Sequence, residues 1–170
     1  MNRFSQALIS RFLREHLSGV EVHDEYRLKG LFNYEPGQNP RARRAPTPRP
    51  DFVVMRGGKM VAVLDAKYRD LWEQTLPREM LYQLALYALG RPGREREAAM
   101  LYPTVDAAAR EQSIAIHEPV QGATQARVVL RPVNLLDLEE LLRGGVSRKA
   151  HGDCASLAHR LAFGNDARSR

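Results

Sequence analysis

A single cysteine, Cys154, stands in the 170 residues. That excludes a disulfide within the chain and any zinc or iron–sulfur site built on several thiolates. Such scarcity suits a reducing compartment, and the expected location is the cytoplasm. Long apolar runs are missing too. The N-terminal stretch MNRFSQALISRFLREHL carries arginines and a histidine inside its apolar pattern, so it is neither a signal peptide nor a membrane span, and no membrane association is expected. No Gly-rich phosphate loop occurs, so this chain should bind no nucleotide itself. A G-x-S-x-G elbow for a nucleophilic serine is absent, as is any helix-turn-helix or zinc-finger pattern that would read bases. Lysine is scarce: positions 29, 59, 67 and 149 hold all four.

Arginine is abundant instead, and it sets the formal net charge of +6. Its planar fork suits phosphate oxygens, so a polyanion such as DNA is the expected partner. The length fits one domain with one core. Phe4, Leu8, Ile9, Phe12, Leu13 and Leu17 recur every three or four residues, the stripe of an amphipathic helix over 3–17 that Gly19 ends. A strand is expected over residues 20–31, where Val22, Tyr26 and Leu28 fall on one side, with LFNY as a possible extension.

The segment EPGQNPRARRAPTPRP is too rich in proline for helix or central strand. It reads as a basic loop over 36–49, either a solvated connection or an arm whose Arg41, Arg43, Arg44 and Arg49 contact phosphates. Two strands follow at 51–56 and 60–68 around the turn Gly57-Gly58. Pro77 opens and Gly90 closes a helix whose body, MLYQLALYAL, is apolar almost all round and is expected to be buried. EAAMLYP, QSIAIHEPV and QARVVLRPV read as strands, the last two antiparallel at an edge because each ends in proline, and Asn134 caps a helix over NLLDLEELL. The remainder, 146–170, reads as a polar basic tail with one short helix at 155–162, which leaves 1–145 as the folded domain. Helix, three strands, helix and further strands indicate an α/β sandwich with a central mixed sheet flanked by helices.

Asp51 and Asp65 stand at the outer ends of the hairpin strands, so folding the hairpin brings them side by side. Two close carboxylates repel unless a cation lies between them, and Mg2+ commonly uses one or two carboxylates with water and phosphate. Lys67, two residues after Asp65 on an extended strand, shares its face. The pairing register decides whether such a site forms. A plain two-residue turn would pair Asp51 with Leu64 and put the two acids on opposite faces. A three-residue loop, or a bulge, pairs Asp51 with Asp65, and the longer loop is the expectation. Gln83 and Tyr87 lie one helical turn apart, where Gln83 could bond a phosphate and Tyr87 support it.

RPDFVV, VLDAKY, LYQLALYA and MLYP, in this order, resemble the PD-(D/E)xK nuclease superfamily, and within it the nuclease domain of McrC, the cleavage subunit of the McrBC modified-cytosine restriction system. The resemblance covers roughly residues 3–140 and implies a restriction-endonuclease-like core. It implies an endonuclease that hydrolyses DNA phosphodiesters with Mg2+, or Mn2+, held by Asp51, Asp65 and the Ala66 carbonyl, with Lys67 catalytic and Gln83 and Tyr87 in support. A McrB-like GTPase or another targeting subunit would be the partner, in defence against foreign DNA. Members of this family often place a glutamate in the first helix, where Gln6 stands here, and Glu15 or Asp24 could substitute. Two other readings keep the fold: a catalytically idle DNA-binding or assembly subunit, and a stand-alone repair or recombination nuclease. His151, Asp153, Cys154 and His159 are expected on a polar surface rather than in a metal site. Tyr68 and Trp72 are expected to pack against the following helix.

Overall fold

The apolar stripe at the N-terminus folds as α1 (Arg3–His16) and buries Ile9, Phe12 and Leu13. The computed structural model describes residues 3–93, 96–143 and 148–165; the Phe4 side chain and the end of the tail, 166–170, lie outside the described residues. Six strands follow in one sheet: β1 (Glu21–Asp24), β2 (Phe52–Arg56), β3 (Lys59–Ala66), β4 (Glu97–Thr104), β5 (Gln112–His117) and β6 (Thr124–Asn134), side by side in the order β1-β2-β3-β4-β6-β5. The first three form an antiparallel meander; β3, β4 and β6 run parallel; and β5 returns antiparallel on β6. A helix, α2 (Arg78–Gly90), connects β3 to β4, and α3 (Leu135–Arg143) and α4 (Arg148–Phe163) follow β6. The α/β class with a mixed sheet is what the sequence indicates, and the sheet is compatible with a restriction-endonuclease-like core.

Alternation along the strands divides the core into two layers. Phe52, Val54, Leu64, Ala66, Ala99 and Leu101 point toward α1, α3 and α4, whereas Val53, Val63, Ala98, Met100 and Tyr102 point toward α2. α2 is less buried than its composition suggests. Leu84, Tyr87 and Ala88 are buried, while Tyr82 is 62% exposed and Leu89 38%. One helix laid on one sheet face can hide only one stripe, however apolar the remainder.

Four expectations need correction. β1 is four residues long, not twelve. Beyond Asp24 the neighbouring chain is 46–50, where Pro46, Pro48 and Pro50 accept but cannot donate: Glu25 N–H reaches the Asp51 carbonyl at 2.8 Å and Leu28 N–H the Pro48 carbonyl at 2.9 Å, with no ladder between them. Of the two strands expected antiparallel at an edge, β5 and β6 do pair antiparallel, but only β5 is the edge strand; β6 lies inside it, and its Pro132 is tolerated because β5 flanks it only as far as Leu130. The short helix expected in the tail is the sixteen-residue α4, whose Cys154, Leu157, Ala158, Leu161 and Ala162 bury against α1 and the sheet. Their spacing of three and four was masked in the sequence by His159 and Arg160 between them and by the polar run that precedes Cys154.

The fourth correction concerns the hairpin. Its turn is the two residues Gly57 and Gly58, both at positive φ (53° and 73°), between the paired Arg56 and Lys59. The register shifts afterwards: Met55 pairs with Met60 but Val54 with Ala62, so Val61 is the extra residue of a β-bulge. From there Phe52 pairs with Leu64, which brings Asp51 opposite Asp65. The bulge does what a longer loop was expected to do. Arg91 caps it by donating Nη2–H to the Val61 carbonyl. Deleting Val61 therefore leaves the register of residues 51–54 against 62–65 intact and costs about 1–2 kcal/mol. Deleting Val63 flips Asp65 to the other face and abolishes cooperative unfolding. Thermal denaturation followed by circular dichroism separates the two variants.

Candidate active site

The carboxyl end of β3 and the start of β2 meet at one end of the sheet, beside the crossover into α2. Parallel α/β units place sites at such an end, where strand carbonyl ends and connecting loops converge. Asp51 is 5% exposed and Asp65 2%. The Ala66 backbone N–H donates to Asp51 Oδ2 at 2.8 Å, and Gln6 Nε2 donates to Asp51 Oδ1 at 3.2 Å. Lys67 Nζ lies 2.7 Å from Asp65 Oδ2. Apart from that ion pair, the buried Oδ2 accepts no hydrogen bond among the described residues.

Burial, together with the adjacent charge of Asp65, pushes the Asp51 carboxyl up from 3.8 to about 6, against the opposing pull of the Ala66 N–H and Lys67. A carboxyl whose folded pKa is raised binds its proton more tightly in the native state than in the unfolded chain. The contribution of Asp51 to stability is then most favourable below pH 4, declines as pH rises toward 6, and is flat above it, a total cost of about 3 kcal/mol. Urea denaturation between pH 4 and pH 7 checks the decline, which Asp51→Asn removes.

On α2, Gln83 Nε2 donates to the Tyr87 hydroxyl at 2.6 Å. Tyr87 is buried, and its phenol is raised by that burial and by the negative charges of Asp65 and Asp51. The helix therefore delivers Tyr87 to the carboxylates while Gln83 sits exposed at the rim. Arg41, Arg43, Arg44 and Arg49 are all exposed in the loop before β2. The Asn39 side chain bonds both the N–H and the carbonyl of Arg43, and Arg49 lies 3.6 Å from Glu25.

Two buried carboxylates that repel one another, one of whose oxygens is met only by the Lys67 ammonium, form a donor set suited to a hard divalent cation. Among the described residues no group of three or more His, Cys, Asp and Glu side chains could hold a metal. A cation here would lean on two carboxylates, a backbone carbonyl, water and substrate, as Mg2+ does elsewhere. Glu15 and Asp24, the acids considered as substitutes for a first-helix glutamate, are engaged elsewhere: Glu15 pairs with Arg11 at 2.7 Å, and Asp24 accepts from Ser10 and Arg14, both at 2.7 Å. Gln6 itself reaches the site.

Cys154 is buried, His159 stacks on Phe163 at 4.8 Å and His151 lies against His16 at 5.8 Å. Trp72 packs partly buried under α2 as expected, whereas Tyr68 is 54% exposed, with Arg69 over its ring at 5.9 Å. Sequence reasoning passed over Tyr102, whose hydroxyl is buried without a hydrogen-bond partner among the described residues. The signal for it was one polar group in the otherwise apolar run AAMLYP, two residues beyond the strand position opposite Asp65. Among the described residues no helix is long and apolar enough to cross a membrane.

No family model matches the chain, and no curated protein matches it. Among solved structures it is similar to a chain of the refined half-complex from the tetradecameric assembly of Thermococcus gammatolerans McrB AAA+ hexamers with bound McrC, with a TM-score of 0.54 and 20% sequence identity. The match covers 92% of this chain and 32% of that one, so the chain spans about a third of the length of the structure it resembles. At this identity the likeness is one of fold.

Proposed function

We propose that this chain is a divalent-metal-dependent DNA endonuclease of the PD-(D/E)xK type, similar to the nuclease domain of McrC, that acts in restriction of foreign DNA. The observation that carries the proposal is the bulged hairpin, which sets Asp51 opposite Asp65 and Lys67 Nζ 2.7 Å from Asp65. A strand end with this register holds all three charged groups on one face, and the likeness in fold to the solved complex agrees with it.

Asp51, Asp65 and the Ala66 carbonyl would hold Mg2+ or Mn2+, which when bound supplies Lewis acidity and positive charge to a phosphoryl oxygen. Loading requires the carboxylates ionised, so affinity for the cation rises with pH through about 6, where Asp51 loses its proton. Lys67 donates to a non-bridging phosphate oxygen and stabilises the charge that accumulates there as water attacks phosphorus and the P–O ester bond breaks. Gln83 holds Tyr87 in place beside the acids. Arg41, Arg43, Arg44 and Arg49 grip flanking phosphates through the exposed loop, which binds without reading sequence. Choice of target then falls to a partner, for which the McrB AAA+ assembly named for the similar structure is the model.

The test is cleavage of supercoiled and linear DNA by the purified chain with Mg2+ or Mn2+ against EDTA. Cutting that needs the metal supports the proposal. A second reading, an idle DNA-binding or assembly subunit, has its own motive in Gln6, which presents an N–H to Asp51 Oδ1 where an acid would present oxygen. DNA binding without cleavage in either metal favours that reading.

A further inference from the structure

Tyr102 is fully buried on the α2 side of β4, in the same layer as Val63, Met100 and Tyr87. Asp65 pairs with Met100 and Ala66 with Leu101. Lys67 N–H donates to the Leu101 carbonyl at 2.9 Å, which carries the pairing one step past the end of β3 and sets Lys67 opposite Tyr102. Residues opposite one another in a parallel pair share a face, so the phenol and the lysine are neighbours on the face that holds Asp65. Burial and the nearby charge of Asp70 raise the phenol to about 12, so it keeps its proton.

A buried hydroxyl without a partner costs stability, and phenylalanine would fill the same space without that cost. The hydroxyl has a use in a second arrangement of Lys67. In this structure the ammonium occupies Asp65 Oδ2. A divalent cation on that carboxylate competes for the same oxygen and repels the ammonium. We propose that Tyr102 is a positioning residue for Lys67, its hydroxyl oxygen accepting the ammonium when a divalent cation takes up Asp65, and its O–H turning toward Asp70. This rests on the metal-dependent reading of the site. The switch keeps the lysine beside the cation, facing substrate, rather than displaced into solvent.

The test uses Mn2+ as the probe, titrated into the full chain without DNA and followed by the electron paramagnetic resonance of the free ion. Tyr102→Phe is expected to unfold at a temperature equal to or above the parent, because it loses only an unpaired hydroxyl, and to bind Mn2+ about tenfold more weakly, the worth of one hydrogen bond to a charged group. In a Lys67→Met background there is no ammonium to displace, so adding Tyr102→Phe leaves Mn2+ affinity unchanged. Parent-like affinity in Tyr102→Phe, or the same loss with and without Lys67, overturns the positioning role alone. No Mn2+ binding by the parent overturns the metal reading and this one together.

Discussion

Lys67→Ala and Asp65→Ala each lower DNA cleavage by at least about a hundredfold, the scale set by removing one group that stabilises charge at the reacting phosphate. The two variants arrive at that loss by different routes. Asp65→Ala takes away a ligand, so divalent binding goes with cleavage. Lys67→Ala takes away the competitor for Asp65 Oδ2, so binding is kept or tightened while turnover is lost. Cleavage by both variants at the parental rate would assign the cutting to other residues or to a contaminant.

Their effects on stability in the absence of metal have opposite signs, a second check that does not depend on turnover. Asp65 is one of the causes that raise the Asp51 carboxyl to about 6. Replacing Asp65 relieves that repulsion, and Lys67, with 14% of its side chain exposed, can extend its head to water. The protein is then at least as stable at pH 7 as the parent. Replacing Lys67 leaves Asp65 buried at 2% exposure with its Oδ2 unpaired, and the loss is about 2 kcal/mol. An inactive Asp65→Ala that is also unfolded would mean that the pair serves the fold and not a reaction.

Much of this site was legible in the sequence because it is local. Asp51, Asp65 and Lys67 belong to one hairpin, and Gln83 and Tyr87 to one helical turn, so strand alternation and the 3.6-residue period suffice to group each set. The bulge was legible only as an alternative, since Val61 looks like any other apolar strand residue and its role comes from Arg91, thirty positions away. Strand order was not legible. β6 lies between β4 and β5, and nothing in QARVVLRPV distinguishes an interior strand from an edge while its proline suggests the latter. β1 reads as a long strand until the prolines opposite it are known to be opposite it. Tyr102 becomes conspicuous only when the parallel register places it across from Lys67.

Arg131 is the residue least legible in the sequence and the one whose loss should cost the fold most. It lies on β6 in the run VLRPV and is 2% exposed, a buried guanidinium in a central strand. Its Nε donates to Glu111 at 2.6 Å, its Nη2 lies 3.2 Å from Glu97, and its Nη1 donates to the Leu161 carbonyl at 2.9 Å. One side chain thus ties the start of β4, the approach to β5 and the last turn of α4 to the sheet. Gly164 makes room for it. The glycine ends α4 at φ 83°, and a Cβ there would stand 2.9 Å from Arg131 Nη2, so it serves both as helix terminator and as clearance. Arg131→Met keeps much of the apolar stem but leaves the Leu161 carbonyl buried without this donor and two half-buried carboxylates without their cation. The expected loss is about 3 kcal/mol, below the upper range for a broken buried pair because Glu97 and Glu111 are each 31% exposed and can be hydrated. In a chain of this size that lowers the melting temperature by on the order of 10 °C. Divalent binding at Asp51 and Asp65 should persist below the lowered transition, because Arg131 lies two strands from β3 and turns to the α4 face of the sheet, and none of the groups it holds belongs to that site. A melting temperature within a degree of the parent would show the guanidinium to be solvated and α4 to be held by its apolar face alone.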